Sequence, residues 1–164
     1  MTILTLAALG LGLIAGLVAG IFFAFSDFIM RGLAAASVAA GAPAGAGAEA
    51  MRGINRSVYS SKFLLMLKAL PLLALALAAA AFLLERHGMA VWFGFGAVSH
   101  IVLVMLSTLT CNVPMNTRLQ SLAGDAQATA AYWPDYVSRW TGWNHVRTVG
   151  AMTSCCCFLL ATTA

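Results

Sequence analysis

The sequence predicts an all-α protein, a bundle of four membrane-spanning helices joined by two longer loops that contain short helices. Three observations carry this. Of 164 residues, 62% are hydrophobic and only 9% charged, where a water-covered domain carries roughly 25% charge. Mean hydropathy is strongly positive, and four long apolar stretches recur along the chain. The length accommodates a single membrane domain, residues 1–164, with no room for an added soluble enzyme domain.

The first stretch, residues 3–25, holds no charge and is long enough to cross a hydrocarbon core of about 30 Å at 1.5 Å per residue. The N-terminus lacks the basic region of a cleavable signal, so this stretch reads as a retained span. Ala8, Gly12, Gly16, Gly20 and Ala24 recur every four residues in it. Such a smooth face lets a second helix approach closely, either within the chain or in a homo-oligomer through Gly12, Gly16 and Gly20.

Residues 26–62 form the first predicted loop. Leu33 to Ala50 is almost all Ala and Gly, and predicts two short helical pieces around a link at Gly41, Pro43, Gly45 and Gly47. The second span, 63–84, contains Lys68 near its start, where a lysine reaches back to the headgroups. A turn at Glu85 to Gly88 leads to the third span, 89–111, interrupted only by His100. Near mid-membrane, an imidazole is either satisfied by a carbonyl or by Ser99 or Ser107, or it is functional. Asn112-Val-Pro-Met-Asn116 reads as a stop closing this span. In the second loop, Tyr132-Trp133-Pro134-Asp135 predicts a helix start running on into the fourth span, 146–164.

The loop cations are Arg31, Arg52, Arg56 and Lys62 in the first loop, Arg86 in the turn, and Arg118 and Arg139 in the last. The positive-inside rule then places both long loops in the cytoplasm and both termini outside, in a bacterial-type inner membrane.

Several function classes fall away. The nine cations form no patch, which excludes nucleic acid. Cys111, Cys155, Cys156 and Cys157 show neither disulfide nor zinc spacing. Consecutive helix positions point about 100° apart, so the three adjacent thiols pack as small hydrophobes rather than converge on a metal. Asp27 and Glu49 read as local partners of Arg31 and Arg52. Internal repeats and paired intramembrane ionisable groups, which would favour a transporter, are absent.

The polar chemistry gathers at the cytoplasmic edge. Helical spacing stacks Tyr136, Trp140, Asn144 and Arg147 with Thr148 on one face, and sets Trp143 one turn from Arg147. Two readings stay open for this face: an aromatic belt that anchors the helix at the interface, or a ligand-binding wall. Asn144 and His145, poor anchors and poor helix formers, argue for the second. Asn112, Asn116 and Asn55 add carboxamides able to converge on a common cavity.

Phe22-Phe-Ala-Phe-Ser-Asp-Phe-Ile-Met30, Ala50-Met-Arg-Gly-Ile-Asn55, Asn112-Val-Pro-Met-Asn116 and Trp140-Thr-Gly-Trp-Asn-His-Val-Arg-Thr148 resemble the signature segments of the DUF1772 or anthrone oxygenase-like family of small four-span membrane proteins. The likeness covers essentially the whole chain in order, with Asp27 and Arg31 departing from it. It implies oxidation of an anthrone, or a similar enolisable polycyclic aromatic, by dioxygen as co-substrate without a cofactor; a haem or metal stays open. On this sequence His145 would be the base, since an imidazole titrates near neutrality. Asn144, Arg147 and Asn112 or Asn116 would stabilise the enolate oxygen, and Tyr136, Trp140 and Trp143 would stack on the flat substrate. The partners implied are membrane lipid and a hydrophobic small molecule. The alternative is a non-enzymatic membrane protein that binds lipid, haem or another hydrophobic ligand, or a partner protein.

Overall fold

The computed structural model describes residues 1–37 and 45–164. Four of its helices are long and apolar enough to cross a membrane: α1 (Ile3–Ala36), α3 (Lys62–Leu83), α4 (His87–Ser121) and α5 (Ala126–Thr163). A shorter helix, α2 (Ala46–Val58), precedes α3. The chain is thus an all-α integral membrane protein. The spans alternate in direction, and their principal contacts run α1 to α5, α5 to α4, α4 to α3 and α3 back to α1. Large apolar side chains such as Leu13, Leu72 and Leu109 face outward, as lipid-facing positions must. Leu11, Leu70, Met89, Phe93 and Phe158 fill the interior toward the end that carries the termini.

Helix length decides where the site lies. At 22 residues α3 only just spans, whereas α1, α4 and α5 run to 34, 35 and 38 residues. At 1.5 Å per residue the longer ones exceed the roughly 30 Å core by some 20 Å, and α2 packs among these extensions. A second interior cluster fills this cap, with Met30, Met51 and Leu119 around Tyr136 and Trp140.

The predicted loops are therefore largely helical extensions, and four expectations are corrected. Residues 26–36 continue α1, through a widened i→i+5 turn at Phe25–Ile29. Asn112 does not stop the third span: α4 runs through two more widened segments, His100–Leu106 and Thr108–Asn112, the latter carrying it past Pro114 to Ser121, so the missing proline N–H falls where the regular hydrogen-bond ladder is already broken. The last helix starts at Ala126 rather than Tyr132, because Asp125 Oδ1 accepts from the Ala128 N–H at 2.9 Å; Pro134 sits inside it on an exposed face. Gly47 does not break the chain but lies within α2 against the Leu33 carbonyl, where a Cβ would collide. Gly45 precedes α2 at φ 77°, and the predicted link at Gly41 and Pro43 lies outside the described residues.

The small-residue stripe of α1 is used mainly within the chain. Gly12 meets the Leu159 side chain and its carbonyl accepts from Cys155 Sγ at 3.2 Å; Gly16 faces Cys155, and Gly20 is exposed. Four residues advance a helix by about 400°, so a four-residue repeat drifts about 40° per step and rotates out of the interface. Cys157 is buried and Cys156 exposed, diverging as the helix requires.

His100 is fully buried, and its Nε2 donates to the Leu67 carbonyl at 3.1 Å. Pro71, four residues after Leu67 inside α3, has no N–H to give that carbonyl. The partner of His100 is thus a carbonyl left open on the neighbouring helix, not Ser99 or Ser107, which donate to the carbonyls of Gly150 and of Leu103 and Val104.

Candidate functional site

Where the spans widen into the cap, a cavity opens among all five helices. Its free space, open mouth included, is about 720 Å³. Apolar walls come from Ile21, Phe22 and Phe25 of α1, Met51 of α2, and Phe63 and Leu67 of α3. Phe22 and Phe63 meet edge to face at 5.5 Å between centroids. Tyr59, exposed at the end of α2, borders the cavity. The polar groups stand together on one side: Asn55 from α2, Thr108, Asn112 and Asn116 from α4, Trp140 and Arg147 from α5.

The widened turns place these groups. Inserting an extra residue per turn shifts the helix face; Thr108 and Asn112, which bound the widened turn Thr108–Asn112, both line the cavity, and the turn at Phe25–Ile29 brings Phe25 to its wall and Ser26 beneath it.

Asn144 ties α1 to α5. It is fully buried, and its Nδ2 donates to the Phe22 carbonyl and to Ser26 Oγ, both at 2.6 Å. Its Oδ1 accepts from Arg147 Nη2 at 2.7 Å. The Arg147 guanidinium lies between two rings, 4.6 Å from the Phe22 centroid and 4.8 Å from that of Trp140. Only 6% of Arg147 is exposed, its Nε has no partner, and none of the five acidic residues pairs with it. An uncompensated buried charge costs several kcal/mol. A cation so placed in a cavity wall can accept an anionic oxygen as its counter-charge.

Asn116 Oδ1 accepts twice, from the Tyr136 hydroxyl at 2.8 Å and from Trp140 Nε1 at 2.9 Å, which fixes its carboxamide. Asn112 Nδ2 donates to the Trp140 carbonyl at 3.2 Å, while its buried Oδ1 has no partner. The cavity thus offers an unused donor on Arg147 and an unused acceptor on Asn112. Among the described residues, no group of three or more His, Cys, Asp or Glu could hold a metal ion.

Of the predicted residues, Asn55, Asn112, Asn116, Trp140 and Arg147 line the cavity; Tyr136 and Asn144 stand directly behind it. His145 and Trp143 do not join them. Both are exposed, because a helix that turns Asn144 inward turns each neighbour about 100° away. The aromatic-belt reading fits Trp143, and the ligand-wall reading fits Trp140. Sequence reasoning missed Phe22, Ser26, Phe63 and Thr108: apolar or hydroxyl residues in apolar runs carry no signal until the widened turns are seen.

The sequence matches the family model described as Anthrone oxygenase over residues 56–157, well over half the chain. No curated protein and no solved structure matches it.

Proposed function

The chain belongs to the anthrone oxygenase family, and from that premise we propose that it is a membrane-embedded oxygenase that converts an enolisable polycyclic aromatic ketone to a quinone with dioxygen and no cofactor. The observation that carries the reading is Arg147, a buried cation without an acidic partner in the wall of a largely apolar cavity.

The substrate binds as its enolate. The negative oxygen takes the free donor of Arg147, and a neighbouring hydroxyl of the substrate donates to Asn112 Oδ1; the flat ring lies against Phe22, Phe25 and Trp140. One electron passes from the enolate to dioxygen, giving a carbon-centred substrate radical and superoxide. Their recombination forms the C–O bond, protonation gives a hydroperoxide, and loss of water leaves the second carbonyl. The sum is one CH2 plus O2 to one C=O plus H2O. Preorganised donors near the developing charge lower this barrier, and the dry walls keep the radical pair together.

His145 has no part in this scheme, since it stands on the outer face. Neither a histidine nor a carboxylate lines the cavity, so the proton is lost to water at the interface, where the acidic benzylic position of an anthrone ionises, and the cavity selects the anion. The positive loop residues support a cytoplasmic position for the capped end.

The test is oxygen uptake by the detergent-purified protein with an anthrone. One quinone per O2 in the wild type and loss of this turnover in Arg147→Gln support the reading. Saturable binding of several enolisable aromatics without oxygen uptake points instead to a hydrophobic-anion carrier, a reading that the lack of a base in the cavity favours.

A further inference from the structure

One feature of the cap exceeds what substrate binding needs. From Trp140 in the cavity wall, oxidisable rings continue outward in contact: Tyr136 lies 6.4 Å from Trp140 between centroids, with planes 27° apart, and Tyr132 lies 6.0 Å beyond it. Trp133 stacks on Tyr136 at 5.4 Å and 14°. The series ends at a surface hollow lined by Tyr132, Arg118 and Asp135, with the Arg118 guanidinium 4.4 Å over the Tyr132 ring. The Tyr132 hydroxyl makes no hydrogen bond within the described residues. Packing alone would be served by Phe or Leu; four consecutive inward positions filled by Tyr and Trp give a row of rings that can each lose an electron.

We propose that Trp140, Tyr136 and Tyr132 form an exit path that carries oxidising equivalents from the cavity to a soluble reductant at the surface. The proposal rests on the oxygenase reading in one respect, that a substrate hydroperoxide forms beside Trp140. Homolysis of its O–O bond yields an alkoxyl and a hydroxyl radical. Each is quenched when Trp140, in the cavity wall, gives it one electron and the Nε1 proton, leaving an alcohol or water and a neutral Trp140 radical. An electron from Tyr136 then restores Trp140. The proton that Tyr136 releases and the one that Trp140 Nε1 regains both sit on hydrogen bonds to Asn116 Oδ1, at 2.8 and 2.9 Å, so charge need not separate inside the protein. Tyr132, which shares no such acceptor, gives Tyr136 the next electron and releases its own proton to water at the hollow, while the proton that Tyr136 takes up comes from water at the cavity mouth by way of Asn116. At the hollow a thiol gives Tyr132 its hydrogen atom and leaves as a thiyl radical, two of which combine to a disulfide.

Tyr132→Phe and Trp133→Phe test the path, since neither side chain lines the cavity and neither gives up a hydrogen bond. With an anthrone and a thiol present, Tyr132→Phe keeps the wild-type initial rate but completes several-fold fewer turnovers before inactivation, with oxidation found at Trp140 and Tyr136 by peptide mass spectrometry. Trp133→Phe, off the direct line, stays closer to the wild type. Equal total turnovers and equal oxidation in Tyr132→Phe overturn the proposal. A second arm needs no turnover: photolysis of an alkyl hydroperoxide in the detergent micelle at low temperature, read by electron paramagnetic resonance. A tyrosyl signal whose hyperfine pattern changes in Tyr132→Phe, where the hole stops at Tyr136, supports the path even if no anthrone is oxidised; a pattern unchanged by the substitution overturns it even if one is.

Discussion

Arg147 Nη2 and Asn144 Oδ1 lie 2.7 Å apart, and this contact divides the work of two neighbouring positions. Asn144 spends both amide hydrogens on α1, at the Phe22 carbonyl and Ser26, and only its oxygen holds the guanidinium. Arg147 is thereby fixed in direction without being neutralised. Arg147→Gln is expected to lower oxygen uptake with an anthrone by about 10²-fold or more, as loss of one preorganised oxyanion donor does elsewhere. Thermal unfolding in detergent should change little or rise, because an unpaired buried charge is removed.

Asn144 separates architecture from charge. Asn144→Leu removes two donors and one acceptor from a buried site and should lose about 3 kcal/mol or more of stability. Asn144→Asp keeps the acceptor and gives Arg147 a carboxylate. It should fold better than Asn144→Leu yet bind anionic aromatics more weakly than the wild type, by equilibrium titration. Equal affinity of Asn144→Asp and wild type would remove the argument from the unpaired cation.

His145→Ala and Trp143→Phe are expected to be nearly silent. Both residues are exposed and neither lines the cavity, and surface changes commonly stay within about 0.5 kcal/mol. A selective loss of turnover in His145→Ala, with folding intact, would return the imidazole to the chemistry.

These residues also show what is legible in such a sequence. The four spans follow from apolar run length alone, and the inward row of Tyr136, Trp140, Asn144 and Arg147 from a period of 3.6, because both depend on the chain's own helix geometry. The boundaries were not legible where that geometry changes. Asn112-Val-Pro looks like a stop, but the widened turn at Thr108–Asn112 absorbs the proline and turns Asn112 inward. Likewise Gly47 reads as a breaker until the Leu33 carbonyl of the neighbouring helix is seen against it. His145 lies outside the cavity for a different reason: the single helix step from Asn144 turns it outward.

The pairing of His100 with the Leu67 carbonyl is testable against Pro71. In the wild type, His100→Ala leaves that buried carbonyl unsatisfied and should cost about 1–3 kcal/mol besides the packing lost. Pro71→Ala supplies the N–H that α3 lacks. A double-mutant cycle in detergent should therefore show the cost of His100→Ala reduced by about 1 kcal/mol in the Pro71→Ala background. Additive effects would mean that the imidazole is held for another purpose.

Glu49 gives the cap an acid-sensitive joint. Arg52, buried in α2, donates from Nε to the Leu119 carbonyl at 3.0 Å and from Nη2 to Thr129 Oγ1 at 2.7 Å, tying α2 to α4 and α5. Its third link is to Glu49 at 3.0 Å. That hydrogen bond, with a weaker one from Arg56, holds the Glu49 carboxyl below the ordinary carboxylate range. A carboxylate with a depressed pKa in the fold contributes fully above its unfolded pKa and loses that contribution as pH falls through the folded one. Unfolding followed from about pH 6 to about pH 3 should thus show the wild type losing its advantage over Glu49→Gln as the pH drops. Because Glu49 is largely exposed, the effect should be modest and shrink with salt. A difference between the two proteins that stays constant with pH would show that the carboxylate charge does not set the direction of Arg52.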